Sequence, residues 1–281
     1  MIQVKGLVKT YGSFQLNIDM EVPTGRVTGL VGRNGVGKST AIKALLGLIR
    51  PEAGEVKVLG KPVKELTRED REKIGVAFSD SGFSDYLKLR DVVRILRGCY
   101  RNFDEKWFLD GCARGHLPMD KNLKEFSTGM KARLRFLTAC SHGAKLLILD
   151  EPTAGLDVVA RTEVLDLLRD YLAEDNERTV LISSHISSDL EGLCDDIYML
   201  HNGKIVLHED TDMILGEYAV LKLSDAAFEK LDKQYLIQTK KERFGYSCLT
   251  NQKQFYAENY PDIVIESGSI DDLIIMMAKE D

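Results

Sequence analysis

Gly32-Arg33-Asn34-Gly35-Val36-Gly37-Lys38-Ser39-Thr40 decides how this chain is read. The stretch satisfies G-x-x-x-x-G-K-[ST] in its required setting, between a strand-like run, Arg26 to Val31, and a segment with Ile42, Leu45, Leu46 and Ile49 at helical spacing. Glycines let the backbone wrap a phosphate closely, and the free N–H groups of the helix N-terminus point at it. Asn34, Gly35, Gly37, Lys38, Ser39 and Thr40 are therefore the expected phosphate-binding residues. Lys38 is placed to neutralise β and γ oxygens, and Ser39 to ligate magnesium. The loop defines a nucleoside triphosphate site but does not choose between kinases, GTPases and ATPases. Its helix should run from Ser39 to Ile49 and stop at Arg50-Pro51-Glu52-Ala53-Gly54.

Leu146-Leu147-Ile148-Leu149-Asp150-Glu151 narrows the choice, because an apolar strand here ends in two adjacent acids. Asp150 is placed to hold the magnesium shell, directly or through water, while Glu151 can polarise a water attacking the γ-phosphate. Asp189-Leu190-Glu191-Gly192 matches the D-x-x-G of GTPases, but no N-K-x-D base-reading motif follows, so the match is discounted.

Outward from these motifs the pattern is that of an α/β chain. Phe14, Leu16, Ile18, Met20 and Val22 alternate with polar residues, as in an antiparallel strand with one wet face. Lys73 to Phe78 and Leu146 to Leu149 read as strands buried on both faces, and Thr179 to Ile182 as the next. Asp157 can cap a helix whose face is Val164, Leu165, Leu168, Tyr171 and Leu172. Ile197 to Leu200 and Lys204 to Leu207 flank Asn202-Gly203, a dipeptide suited to a tight hairpin. Alternating strands and helices predict a largely parallel sheet covered on both sides. Residues from about 83 to 139 form a helical insert in it, anchored by Val92, Val93, Leu96, Trp107 and Phe108. From about residue 210 the pattern changes to a small α+β appendage with three strands (Tyr218 to Leu223, Tyr246 to Leu249, Ile263 to Glu266) and two helices. Ser269 and Asp272 form a capping box before Leu273 to Ala278. The predicted division is 1–209 and 210–281.

The 281 residues carry 38 basic and 44 acidic side chains, a net charge of -6, which speaks against a nucleic-acid partner. With 44% apolar and 29% charged residues the chain can bury a core. The longest apolar run, Leu273 to Ala278, falls far short of the roughly 20 residues of a membrane-spanning helix. The opening MIQVKGLVKT alternates like a strand and lacks a secretory h-region, so a cytoplasmic location is expected. Five widely spaced cysteines fit neither a disulfide framework nor a zinc ribbon.

Further motifs fall in a recognisable order. Lys9-Thr10-Tyr11-Gly12, Phe126-Ser127-Thr128-Gly129-Met130, Glu151-Pro152-Thr153-Ala154-Gly155-Leu156-Asp157 and Ser183-Ser184-His185 join the two phosphate motifs. Residues 1 to 210 thereby resemble the ATPase subunit of an ATP-binding-cassette (ABC) transporter. The resemblance implies a P-loop NTPase of ABC type with an antiparallel β-subdomain, and ATP with Mg2+ as the ligands. It makes Tyr11 the adenine platform, Glu151 the general base and His185 the switch residue contacting the γ-phosphate or the attacking water. It also implies that Ser127 and Gly129 complete the site of a second nucleotide-binding subunit, identical or different, and that dimer closure drives a separate transmembrane permease. The subunit would then sit peripherally on the inner face of the membrane. His116, His142, His201 and His208 lack such a context and are left unassigned.

Two departures stand out. Ser79 occupies the place of the family's glutamine, where it can reach magnesium only through a water, with Asp80 adjacent. Thr128 and Met130 replace the commoner glycine and glutamine, a variant that resembles ABC-2-type exporter cassettes, including exporters of antimicrobial or cytolytic peptides. The loop with Phe83, Tyr86 and Leu87 is either the docking place for the permease, as the resemblance implies, or a lid on the chain's own core. The alternative is a soluble cassette protein remodelling ribosomes or nucleic acid; such proteins often carry two cassettes or long coiled-coil inserts, and here there is one cassette and no sustained heptad.

Overall fold

The computed structural model describes residues 1–80 and 82–277. β1 (Ile2–Tyr11) and β2 (Phe14–Val22) form a hairpin in which Leu16, Ile18, Met20 and Val22 are buried, as their alternation predicts. β3 (Val27–Val31) leads through the glycine-rich loop into α1 (Lys38–Leu45). β4 (Ala53–Val58) and β5 (Lys61–Pro62) complete an antiparallel sheet of order β2-β1-β4-β5. A single turn, α2 (Arg68–Arg71), precedes β6 (Ile74–Phe78). The insert contains α3 (Leu89–Cys99), α4 (Glu105–Arg114) and α5 (Thr128–Cys140). Then come β7 (Leu146–Asp150), α6 (Val158–Ala173), β8 (Thr179–Ser184), the short α7 (Ser188–Glu191), β9 (Asp196–His201) and β10 (Lys204–Asp210).

The central sheet has the order β10-β9-β3-β8-β7-β6, all parallel except β10, which turns back through Asn202 and Gly203, both at positive φ. β7 is buried on both faces: Leu146 and Ile148 pack with α1 and the antiparallel sheet, while Leu147 and Leu149 pack on the other side with Phe136, Leu168 and Tyr171. Asp157 caps α6 by accepting the Ala160 N–H at 2.9 Å. The insert has its own core of Val92, Val93, Leu96, Phe108 and Leu137. Trp107 packs against that core and also against the central one. It is half-buried at the seam, edge-on to Tyr171, with Nε1 donating to Glu174.

α1 ends earlier than its apolar spacing predicts. Gly47, at φ 70°, lets its own N–H reach Ala44 O (3.0 Å) and the Leu48 N–H reach Lys43 O (2.9 Å), closing the helix after Leu46 and leaving Leu48 exposed.

The C-terminal residues hold more structure than expected: α8 (Thr211–Glu217), β11 (Ala219–Leu223), α9 (Asp225–Lys230), β12 (Leu236–Glu242), β13 (Gly245–Thr250), α10 (Lys253–Asn259), β14 (Val264–Ser267) and α11 (Ile270–Met277). Their antiparallel sheet has the order β12-β13-β11-β14. The capping box of Ser269 and Asp272 is present, each side chain taking the other's N–H; Ala278 of the predicted apolar run lies outside the described residues. One face of this sheet covers Leu221, Leu223, Cys248 and Tyr256. The other presents Val220 and Leu249, which join Ile214, Ile270, Leu273 and Met276 in the same buried cluster as Val180, Ile182, Leu190 and Ile197.

Candidate nucleotide site

Three adjacent strands, β3, β8 and β7, bring the site together at their carboxyl ends, where open parallel sheets bind ligands. Past Val31 the chain turns through Gly32 to Gly37. The N–H groups of Asn34, Gly35 and Gly37 take no acceptor among the described residues, so the loop presents a set of open donors. Gly37 sits at φ 114°, and a Cβ there would lie 2.9 Å from Phe14 Cζ. Only glycine lets the loop close against the β1–β2 hairpin. Lys38 is buried at the start of α1, with Nζ donating to Gly32 O (2.6 Å) and Arg33 O (3.3 Å). Ser39 and Thr40 follow, half-buried, on the first turn.

Asp150, buried at the end of β7, accepts from Ser183 Oγ at 2.6 Å. Glu151 adopts φ 51°, uncommon for a residue with a Cβ. Its N–H is held by Ser183 O (3.2 Å) and Ser183 Oγ (3.1 Å), which offsets the backbone strain. The carboxylate is held at both oxygens. Oε1 lies 3.1 Å from Lys38 Nζ, a charge contact without hydrogen-bond alignment, and Oε2 lies 2.5 Å from His185 Nδ1 and accepts the His185 N–H at 3.3 Å. Lys38, Glu151 and His185 thus form one chain of contacts.

Ser183 orients both acids, a role its place in Ser183-Ser184-His185 did not reveal. Behind it, Thr153 Oγ1 donates to buried Asp189 (2.6 Å), which Arg161 approaches to 3.6 Å, tying the segment after Glu151 to α6 and α7. Asp189, the first residue of the discounted D-x-x-G, is therefore a structural acceptor.

Tyr11 ends β1, about half exposed, and its cross-strand partner Phe14 rests against Gly37. The hairpin end that carries Tyr11 is thereby set against the phosphate loop through Phe14. Ser79 follows Phe78, which pairs in register with Asp150; its carbonyl accepts from Arg135 of α5. A cleft of about 460 Å³ beside it is lined by Val76, Asp80, Phe83, Asp85, Leu134 and Arg135. Ser127 and Gly129 lie at the start of α5. Ser127 caps that helix through the Met130 N–H (3.2 Å), and Gly129 is packed against Ala160. Among the described residues no hydrogen bond or ion pair joins them to Lys38, Glu151 or His185.

The donor set fits magnesium with a nucleotide: Asp150 and the Ser39 hydroxyl are hard oxygens. Among the described residues no group of three His, Cys, Asp or Glu side chains could hold an ion on its own.

This strand arrangement and loop define an ABC-type P-loop ATPase. The family model described as ABC transporter matches residues 16–154, and one described as an AAA domain, putative AbiEii toxin, matches 121–188. The chain is 34% identical over 217 residues to the lantibiotic transport ATP-binding protein SrtF of Streptococcus pyogenes, covering 75% of this chain and 92% of that one. It is 36% identical over 212 residues to the bacitracin transport ATP-binding protein BcrA of Bacillus licheniformis, covering 73% and 68%. A solved ATP-binding subunit of an ABC transporter superposes with a TM-score of 0.66 at 26% identity, covering 76% of this chain and 91% of that one. The chain belongs to the family of ATP-binding subunits of ABC transporters. Among the described residues no helix is long and apolar enough to cross a membrane.

Proposed function

We propose that this ATPase powers a membrane exporter by closing two copies of itself over ATP, with residues 1–209 as the ATPase unit and 210–281 as an accessory segment. The observation that carries the hydrolytic reading is the chain Lys38–Glu151–His185 at the ends of adjacent strands. The adenine stacks on Tyr11. The open N–H groups of the phosphate loop and the Lys38 ammonium take the β and γ oxygens. Ser39 and Asp150 would hold magnesium, which would supply neutralisation of the phosphate charge. Once Lys38 turns to phosphate, Glu151 is free to accept a proton from water. The water oxygen bonds to the γ phosphorus, the bond to the ADP oxygen breaks with its electron pair leaving on ADP, and His185 orients Glu151 and the γ-phosphate.

Ser127 and Gly129 lie on another element, the start of α5, and among the described residues are not bonded to this centre within one chain, which supports their serving the site of the second copy. Since each copy carries both halves, two identical copies suffice. ATP then favours the closed pair over the open one, and this differential binding is what hydrolysis releases. The cleft beside Ser79, with exposed Tyr86 following its lining residue Asp85 in the chain, is the docking place assigned to a separate transmembrane permease. Export is supported by relatives named for lantibiotic and bacitracin transport and Nod factor export, whose different cargoes fit selection by the permease.

Purification of the tagged chain from detergent-solubilised cells in the presence of ATP tests this reading. Recovery of a multi-spanning membrane protein is the expected result; recovery of ribosomes or nucleic acid without one would favour the remodelling alternative.

A further inference from the structure

β1 is held on both sides as it approaches Tyr11. On one side lies β2, with Phe14 against the phosphate loop. On the other, pairing with β4 ends at Val8 and Ala53, so Lys9, Thr10 and Tyr11 have no strand beside them there. Glu52, the residue before β4, takes the place of that strand. Its N–H donates to Val8 O (2.8 Å), and its carboxylate gathers three donors. Oε1 accepts the Thr10 N–H (3.1 Å) and meets the Lys9 ammonium (3.4 Å), while Oε2 accepts the Thr10 hydroxyl (2.8 Å). Lys9 Nζ in turn stands over the Tyr11 ring, 5.3 Å from its centroid. The Thr10 hydroxyl and N–H, with the Lys9 charge, hold the Glu52 carboxyl below its ordinary value, so it is ionised at neutral pH.

We propose that Glu52 is a positioning residue for the nucleotide base: through Thr10 and Lys9 it fixes Tyr11 as a stacking platform. The proposal rests on the reading of Tyr11 as that platform. A half-exposed ring in the last position of a strand has freedom that stacking must remove, and a clamp on the preceding two residues removes it in advance. Exposed carboxylate contacts of this kind contribute little to folding. Their loss should therefore be felt at the base and not in the stability of the chain.

Steady-state hydrolysis by the whole chain, with inorganic tripolyphosphate as a competitive inhibitor that has phosphates but no base, tests this. Glu52→Ala should raise KM for ATP about three- to tenfold, the scale of one aromatic stacking contact, with kcat nearly unchanged. Its inhibition constant for tripolyphosphate should match the unmodified chain. Tyr11→Ala should raise KM at least as much, and Glu52→Ala should add nothing on that background. Thr10→Val, which removes one of the three bonds, should give a smaller rise. The inference is overturned if Tyr11→Ala raises KM and Glu52→Ala does not. It is equally overturned if the Glu52→Ala effect persists in the Tyr11→Ala background, or if tripolyphosphate inhibition weakens in step with ATP. An unchanged KM in Tyr11→Ala would remove the platform reading itself, and the role of Glu52 with it.

Discussion

Lys38 Nζ and Glu151 Oε1 lie 3.1 Å apart, so the ammonium proposed to hold phosphate and the carboxylate proposed to activate water neutralise each other before a nucleotide arrives. Each is thereby kept near its working position. Binding must exchange this contact for contacts to phosphate, and the two partners should respond in opposite ways. Glu151→Gln frees Lys38, so ATP should bind at least as tightly while turnover falls by about 10²–10⁴-fold, the range of a lost general base. Lys38→Ala removes charge-assisted bonds worth ~1.5–3 kcal/mol, so affinity should fall by about 10- to 100-fold. Equilibrium ATP titration beside steady-state hydrolysis reads both; wild-type turnover in Glu151→Gln would take that residue out of its role.

Ser79 stands in the place of the family's glutamine, proposed as a reach to the metal, and the Arg135 guanidinium holds its carbonyl, so the main chain should keep its place when the side chain is lengthened. Ser79→Gln should raise ATP turnover by about threefold, equivalent to ~0.6 kcal/mol off the barrier. Unchanged turnover with normal ATP affinity would show that no deficit exists at this position.

Leu273 of α11 is fully buried in a cluster that also contains Val180 and Ile182 of the central sheet. Leu273→Ala should cost about 3 kcal/mol in urea unfolding, the scale of a core truncation. A loss confined to a separate early transition, with the main transition unmoved, would mean that the C-terminal sheet unfolds independently of the ATPase core.

His142 is buried and stacked on Tyr100, ring centroids 4.0 Å apart, and burial lowers its pKa below the ordinary 6.5 despite the carbonyls of Ile74 and Thr138. Folded chains then bind fewer protons than unfolded ones below that pH. The contribution is complete above pH 6.5 and is lost as pH falls through the depressed folded value. His142→Phe keeps the stack and should flatten the decline in urea midpoint just below pH 6.5; an unchanged decline would place its origin elsewhere.

The parts of the fold legible in the sequence are those set by local pattern. Leu146 to Leu149 is apolar throughout because both faces are covered, and the hairpin at Asn202-Gly203 follows from two residues at positive φ. Other features escaped for physical reasons. β12, with Lys240, Lys241 and Glu242, is an edge strand whose charges mask its alternation. The contact of Val220 and Leu249 with the central core is a tertiary choice of face that periodicity cannot assign. In the site, motif spacing marked Glu151 and His185, but the Ser183 hydroxyl that orients both acids and the Glu52 carboxylate behind Tyr11 depend on strands meeting in space.

The central claim is that the nucleotide is shared between two copies, with Ser127 of each facing the phosphate held by the other. Light scattering of Glu151→Gln with and without Mg-ATP, alone and combined with Ser127→Arg, measures it directly. The account predicts a doubling of mass with ATP that the added Ser127→Arg abolishes while ATP remains bound. A saturated chain that stays a single copy in Glu151→Gln, or a doubling indifferent to Ser127, would contradict it.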